Sequence, residues 1–213
     1  RGLGDVYKRQ DETLFSDFSC SIGPEERVAI IGKNGIGKTT LLHILCNHLE
    51  SDTGKVKLGE TVDIGLFPQD ASDILDSKSS ALDWLNRFSD SETSEVELRS
   101  FMGRMLFRGE DVMKKIGVLS GGEKARLIIS KMTMEGGNVL ALDEPTNHLD
   151  LESIEALNFG LSLFPNTLLF VSHDHRFIAT LATRILEVTE DGIIDYPGTL
   201  NEYEALKKSR KGK

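Results

Sequence analysis

The stretch from Val28 to Thr40 constrains this chain more than any other. An apolar run, Val28-Ala29-Ile30-Ile31, breaks into a glycine-rich turn and then opens a helix. Gly32, Lys33, Asn34, Gly35, Ile36, Gly37, Lys38 and Thr39 fit the pattern G-x-x-x-x-G-K-[ST], and Thr40 continues it. Glycines let successive backbone N–H groups converge on an anion, Lys38 reaches its outer phosphates, and the Thr39 hydroxyl is a ligand for Mg2+. The helix beginning near Lys38 points unpaired N–H groups and its positive dipole end at the same place. The pattern predicts a phosphate cradle built on an α/β fold.

A chain of 213 residues buries one substantial core, and one domain with a helical subdomain is expected. Lys and Arg number 25 against 34 Asp and Glu, a net charge of −9, so attachment to nucleic acid by the whole surface is excluded. The clearest local basic patch is the tail over residues 207–213, which reads on its own as a solvated, frayed terminus. Cys20 and Cys46 form no C-x-x-C pair and read as packing residues in a reducing compartment. No apolar stretch approaches the roughly 18 residues of a membrane span, and no signal-peptide pattern opens the chain, so the sequence reads as soluble and cytoplasmic.

Residues 1–10 show neither alternation nor helical period and read as a sequence-end scar before a domain over residues 11–206. Residues 14–22 alternate as a half-buried strand would, and a Gly-Pro turn feeds the strand over residues 27–31. Leu41, Leu42, Ile44, Leu45 and Leu49 stripe a helix expected to end near Asp52-Thr53-Gly54. Residues 55–58 read as an edge strand, and residues 61–67 as another, closed by Pro68-Gln69-Asp70. A polar residue just past a strand end is where α/β proteins place site residues.

From residue 70 serines and acids abound, and two capping boxes are expected, Ser80 with Asp83 and Ser94 with Glu97. These helix starts predict a small helical subdomain over about residues 71–133. Its apolar positions, among them Trp84, Leu85, Leu98 and Met102, are explained by packing. Leu119-Ser120-Gly121-Gly122-Glu123 is a second glycine turn, running into a helix expected over residues 121–132. It is an anion site by the same physics, but it lacks a lysine and would bind phosphate weakly alone.

Residues 139–144 form a short apolar strand ending in two carboxylates. Asp143 can hold Mg2+ through water, and Glu144 can polarise the water that attacks a γ-phosphate. Asp150 is placed to cap a helix striped by Ile154, Leu157, Leu161 and Phe164. A strand over residues 167–171 ends at Ser172-His173-Asp174. A lone histidine there would read as structural; beside a phosphate loop and an acid pair it reads as a site residue. Residues 184–188 and 193–196, joined by Glu190-Asp191-Gly192, signal a hairpin, and a short helix leads into the tail.

Taken in order, these residues resemble the nucleotide-binding domain of the ATP-binding cassette superfamily. Gly32 to Thr39 match its Walker A motif, Gln69 its Q-loop glutamine, and residues 119–123 its LSGGE signature. Residues 139–144 match Walker B with the catalytic glutamate, residues 147–150 the D-loop, and His173 the switch histidine. Asn147-His148 in the D-loop, with Ser172-His173-Asp174-His175 and Tyr196-Pro197-Gly198, is similar to the ABC-F branch. The resemblance implies a P-loop ATPase fold: a mainly parallel core sheet, an antiparallel β edge subdomain and a helical subdomain. It implies ATP and Mg2+ as cofactors, with Thr39, Gln69 and Asp143 at the metal and Gln69, Glu144 and His173 catalytic.

The same resemblance implies two cassettes meeting head to tail, so that Ser120, Gly121 and Gly122 contact the γ-phosphate held by the opposite Walker A loop. ABC-F proteins carry both cassettes on one chain, lack membrane domains and act on ribosomes. This sequence holds one cassette and looks like the second of such a pair. The adenine-stacking aromatic of the family falls here on Arg9 or Gln10, which implies weaker nucleotide affinity. An energising subunit of a membrane transporter and a slow nucleotide-gated binding module are the competing readings.

Overall fold

A computed structural model describes residues 14–67, 74–147 and 149–211. Gln69, His148, residues 1–10 with the adenine position, and residues 212–213 lie outside the described residues. Among the described residues six strands form one sheet: β1 (Arg27–Gly32), β2 (Ile64–Leu66), β3 (Val139–Asp143), β4 (Thr167–Val171), β5 (Arg184–Thr189) and β6 (Gly192–Tyr196). Their spatial order is β2-β3-β4-β1-β5-β6. All neighbours run parallel except β5 and β6, the hairpin.

The helices are α1 (Lys38–Leu45), α2 (Ala81–Asn86), α3 (Glu95–Arg104), α4 (Gly121–Met134), α5 (Leu151–Ser162), α6 (His175–Leu181) and α7 (Leu200–Lys211). Strands covered on both faces read as near-continuous apolar runs, and alternate residues divide between two cores. Val28, Ile30, Ala141, Leu169 and Val171 face a cluster completed by Leu41 and Leu42 of α1 and by Cys46. Leu140, Leu142, Leu168 and Phe170 face the other, which runs without a break into Trp84, Leu85, Leu98 and Met102 of α2 and α3. The helical insertion therefore shares its core with the sheet. Burial pushes the Cys46 thiol up to about 11, which makes it a packing residue.

Several sequence expectations are corrected. Residues 14–22 form no strand; they run irregularly while Phe15, Phe18 and Ile22 pack on the α1-side cluster, so their alternation reflects one-sided burial. Residues 55–58 form no strand either, and the antiparallel edge consists of the β5–β6 hairpin. Helix α1 stops at Leu45, short of residues 52–54, because Asn47 adopts a left-handed φ of 57° and turns the chain. Ser94 and Glu97 make the full capping box, whereas Ser80 accepts only the Asp83 N–H. Residues 207–211 are no frayed tail: they continue α7, and the Lys207 Nζ donates to Glu187 Oε1 at 2.7 Å.

Candidate nucleotide site at the strand ends

Register brings the site together. Asp143 of β3 pairs with Val171 of β4, which pairs with Ile30 of β1, so the three strands end side by side. The glycine turn, the acid pair and Ser172-His173 leave these ends, the edge at which parallel sheets bind ligands.

The turn itself is shaped by close approach. Gly32 has φ 146°, and a Cβ there would sit 2.5 Å from the Val188 carbonyl oxygen of β5. Gly35 and Gly37 also take left-handed φ values of 76° and 109°, which side chains disfavour. Lys33, Asn34 and Gly35 are exposed, while Ile36 packs on the α1-side cluster, so whatever Ile36 gives a ligand comes from its backbone. The Lys33 side chain turns away to Glu190, 2.7 Å distant, and its carbonyl accepts the Lys38 ammonium at 2.9 Å. Lys38 is buried at 6% exposure. Burial pulls its pKa down, and the charges of Glu144 and Asp143 oppose that pull.

Thr39 on the first turn of α1 donates to Asp143 Oδ1 at 3.2 Å. Asp143 lies on the same sheet face as Ala141, the α1 side, which is why a residue at the head of that helix reaches it. Glu144 follows in a left-handed conformation, φ 49°, rare for a side chain with a Cβ. Its N–H extends the β3–β4 ladder to the Val171 carbonyl at 2.9 Å, while its carboxylate turns to His173, whose Nε2 lies 3.0 Å from Oε1. Burial raises the Glu144 pKa most; His173 and Lys38 pull against it, and Asp143 adds to the rise. Its Oε2 is buried without a hydrogen-bond partner among the described residues.

Two residues given no role from the sequence hold this corner. The buried hydroxyls of Thr146 and Ser172 lie 3.1 Å apart, and Ser172 Oγ accepts the Asp174 N–H at 3.1 Å. They tie the loop after Glu144 to the loop carrying His173. Only the Pro-Thr and Ser-His-Asp turn chemistry could have hinted at this pairing, since the residues are 26 apart in sequence.

The second glycine turn is closed by its own capping box: the Ser120 N–H donates to Glu123 Oε2 at 2.8 Å, and Ser120 Oγ accepts the Glu123 N–H at 3.2 Å. Ser120 and Gly121 are exposed, but Gly122 is buried. A Cβ on Gly122 would stand 2.3 Å from the Cβ of Ser153 on α5.

A parallel sheet whose adjoining strand tips carry a glycine cradle, a buried lysine, a hydroxyl–carboxylate pair and a glutamate–histidine pair defines a P-loop nucleotide-binding domain. The family model described as ABC transporter matches residues 15–147, more than half of the chain, and the chain belongs to that family. Among its relatives, the uncharacterized ABC transporter ATP-binding protein YkpA of Bacillus subtilis is 48% identical over 191 residues, 89% of this chain and 35% of that protein. The probable ATP-binding protein YbiT of Escherichia coli is 43% identical, over 89% of this chain and 36% of its own length. The energy-dependent translational throttle protein EttA of Haemophilus influenzae is 40% identical, over 95% and 37% respectively. The chain thus spans about a third of the length of these relatives. Among the described residues, no helix is long and apolar enough to cross a membrane.

Proposed function

We propose that this chain binds ATP with Mg2+ and hydrolyses it as one cassette of a head-to-tail pair, and that closure of the pair acts on the ribosome in translation. The observation that carries the reading is the convergence of Lys38, Thr39, Asp143, Glu144 and His173 on three adjoining strand tips. The residues fit the ligand. The cradle is lined by backbone that a Cβ at Gly32 would block, and the orphaned Glu144 Oε2 is an acceptor that a water could satisfy.

Thr39 and Asp143, with Gln69, would hold magnesium, which would supply charge neutralisation on the phosphates. Lys38 leaves the Lys33 carbonyl for the outer phosphates. Glu144 orients the attacking water and accepts its proton, a task suited to a carboxyl whose pKa is raised. His173 holds the Glu144 carboxylate in place. Positioning and charge neutralisation, rather than covalent chemistry, carry phosphoryl transfer. Ser120 and Gly121, with the backbone of Gly122, face the triphosphate of the partner cassette, which accounts for a nest too weak to bind alone. Relatives that include a translational throttle protein support the ribosome as target.

Glu144→Gln tests the reading. It is expected to trap bound ATP, to shift the chain to a dimer in light scattering, and to make cosedimentation with ribosomes ATP-dependent. A variant that turns over ATP at the parent rate places the general base elsewhere.

A further inference from the structure

The contact between Gly122 and Ser153 does more than fill space. Helix α4 starts at the signature turn, with Ser120 as its N-cap, and helix α5 starts directly after the loop that leaves Glu144, with Asp150 as its N-cap. Asp150 Oδ1 accepts the Ser153 N–H at 2.8 Å, which fixes Ser153 on the first turn. Ser153 is 9% exposed, and a Cβ built on Gly122 would meet its Cβ at 2.3 Å, its Oγ at 2.5 Å and its Cα at 3.0 Å. The first turns of the two helices are thus in backbone-to-side-chain contact. Neither can move toward the other, and a glycine is required at position 122 for a steric reason independent of any ligand.

We infer that Ser153 is a positioning residue: it seats the signature turn of this cassette against the acid loop of the same cassette. The contacts that carry it are the Thr146–Ser172 pair beside Glu144, the Asp150 cap on Ser153, and Ser153 against Gly122 next to Ser120. Thr146 is itself buried and tied to Ser172. The signature turn serves the partner's site on the proposed function, and Glu144 serves its own, so Ser153 links the geometry of the two. This inference rests on that reading.

The test is a double-mutant cycle on the whole chain, read by steady-state ATP turnover, by binding of a fluorescent ATP analogue and by thermal unfolding. Gly122→Ala must push the helices apart by more than about 1 Å, a misplacement worth on the order of a hundredfold in kcat. Binding of the fluorescent analogue to this cassette's own glycine cradle is expected to stay within about twofold, because Lys38 and Thr39 lie outside the contact. Adding Ser153→Gly removes the Cβ and Oγ in the way, and the double variant is expected to recover most of the lost kcat. Ser153→Ala keeps the Cβ and is expected to run near the parent rate.

If Gly122→Ala is too unstable to assay, Ser153→Val crowds the same contact from α5 with Gly122 intact and is expected to reproduce the kcat loss. A double variant no better than Gly122→Ala, or a Ser153→Val at the parent rate, overturns the inference. A parent chain that neither binds nor hydrolyses ATP would instead overturn the proposed function, so the two failures are separable.

Discussion

Glu144 concentrates the conflict between stability and use in one residue. It holds a left-handed φ, its carboxylate is largely buried, one oxygen has no partner among the described residues, and burial raises its pKa. Each of these costs folding free energy, and such costs collect at functional sites. The pKa carries a sign that can be checked. A carboxyl whose pKa is raised on folding favours the folded state while it is protonated, below the unfolded value of about 4.5. That contribution is lost as pH rises through the folded value. Glu144→Gln is therefore expected to be more stable than the parent at neutral pH, with the difference closing as pH falls toward 4 and below. Urea unfolding at a series of pH values measures it. A Gln variant less stable than the parent at pH 7 would mean that the His173 contact outweighs burial.

At the scale of elements, the caps explain why short helices persist. Helix α5 is closed at its start by Asp150 and at its end by a residue far away in sequence. Arg27 of β1 donates to the carbonyls of Leu161 at 2.9 Å, Ser162 at 3.1 Å and Phe164 at 2.7 Å. Leu161 and Ser162 close the last turn, where helix carbonyls run short of partners, and Phe164 lies two residues past it; a cation beside them also suits the negative dipole end. Arg27→Met retains most of the stem and removes the donors. It is expected to cost about 1.5–3 kcal/mol, the usual worth of a hydrogen bond to a charged group, in chemical denaturation. A loss below about 0.5 kcal/mol would show that water replaces the guanidinium at no cost.

Across the whole molecule, the sheet is locked at its β5–β6 edge. Arg184 donates in a fork to Asp195, at 2.8 and 2.6 Å, and also reaches Glu26 at 2.7 Å and the Ser21 carbonyl at 2.7 Å. It thereby joins the hairpin to the irregular segment that precedes β1. Helix α7 closes over the same side: Leu200 and Tyr203 are buried, and the Tyr203 hydroxyl and Lys207 both donate to Glu187 of β5. Tyr203→Phe keeps the ring packing and removes one donor from a carboxylate only 15% exposed. The expected cost is about 1–3 kcal/mol, read as a lower Tm, with faster hydrogen exchange along α7 by mass spectrometry. Unchanged exchange there would mean that apolar contacts alone dock the helix.

What could be read from residues alone is what depends on local chemistry. The glycine cradle, the β3 and β4 strands, the Asp150 and Ser94 caps and the β5–β6 hairpin were all legible, because each rests on a pattern within a few residues, while the mainly parallel architecture came from the resemblance. Residues 14–22 misled because one-sided burial gives the same alternation with or without a strand partner. Likewise, charge made residues 207–211 look free, although the partner of Lys207 stands 20 residues earlier. The resemblance had already brought Thr39 and Asp143 to one metal, but tertiary structure alone decided that Arg27 finishes α5 and that Gly122 lies under Ser153. These are contacts between residues far apart in the chain, and no spacing encodes them; they follow from strand order and from which face of the sheet each helix covers.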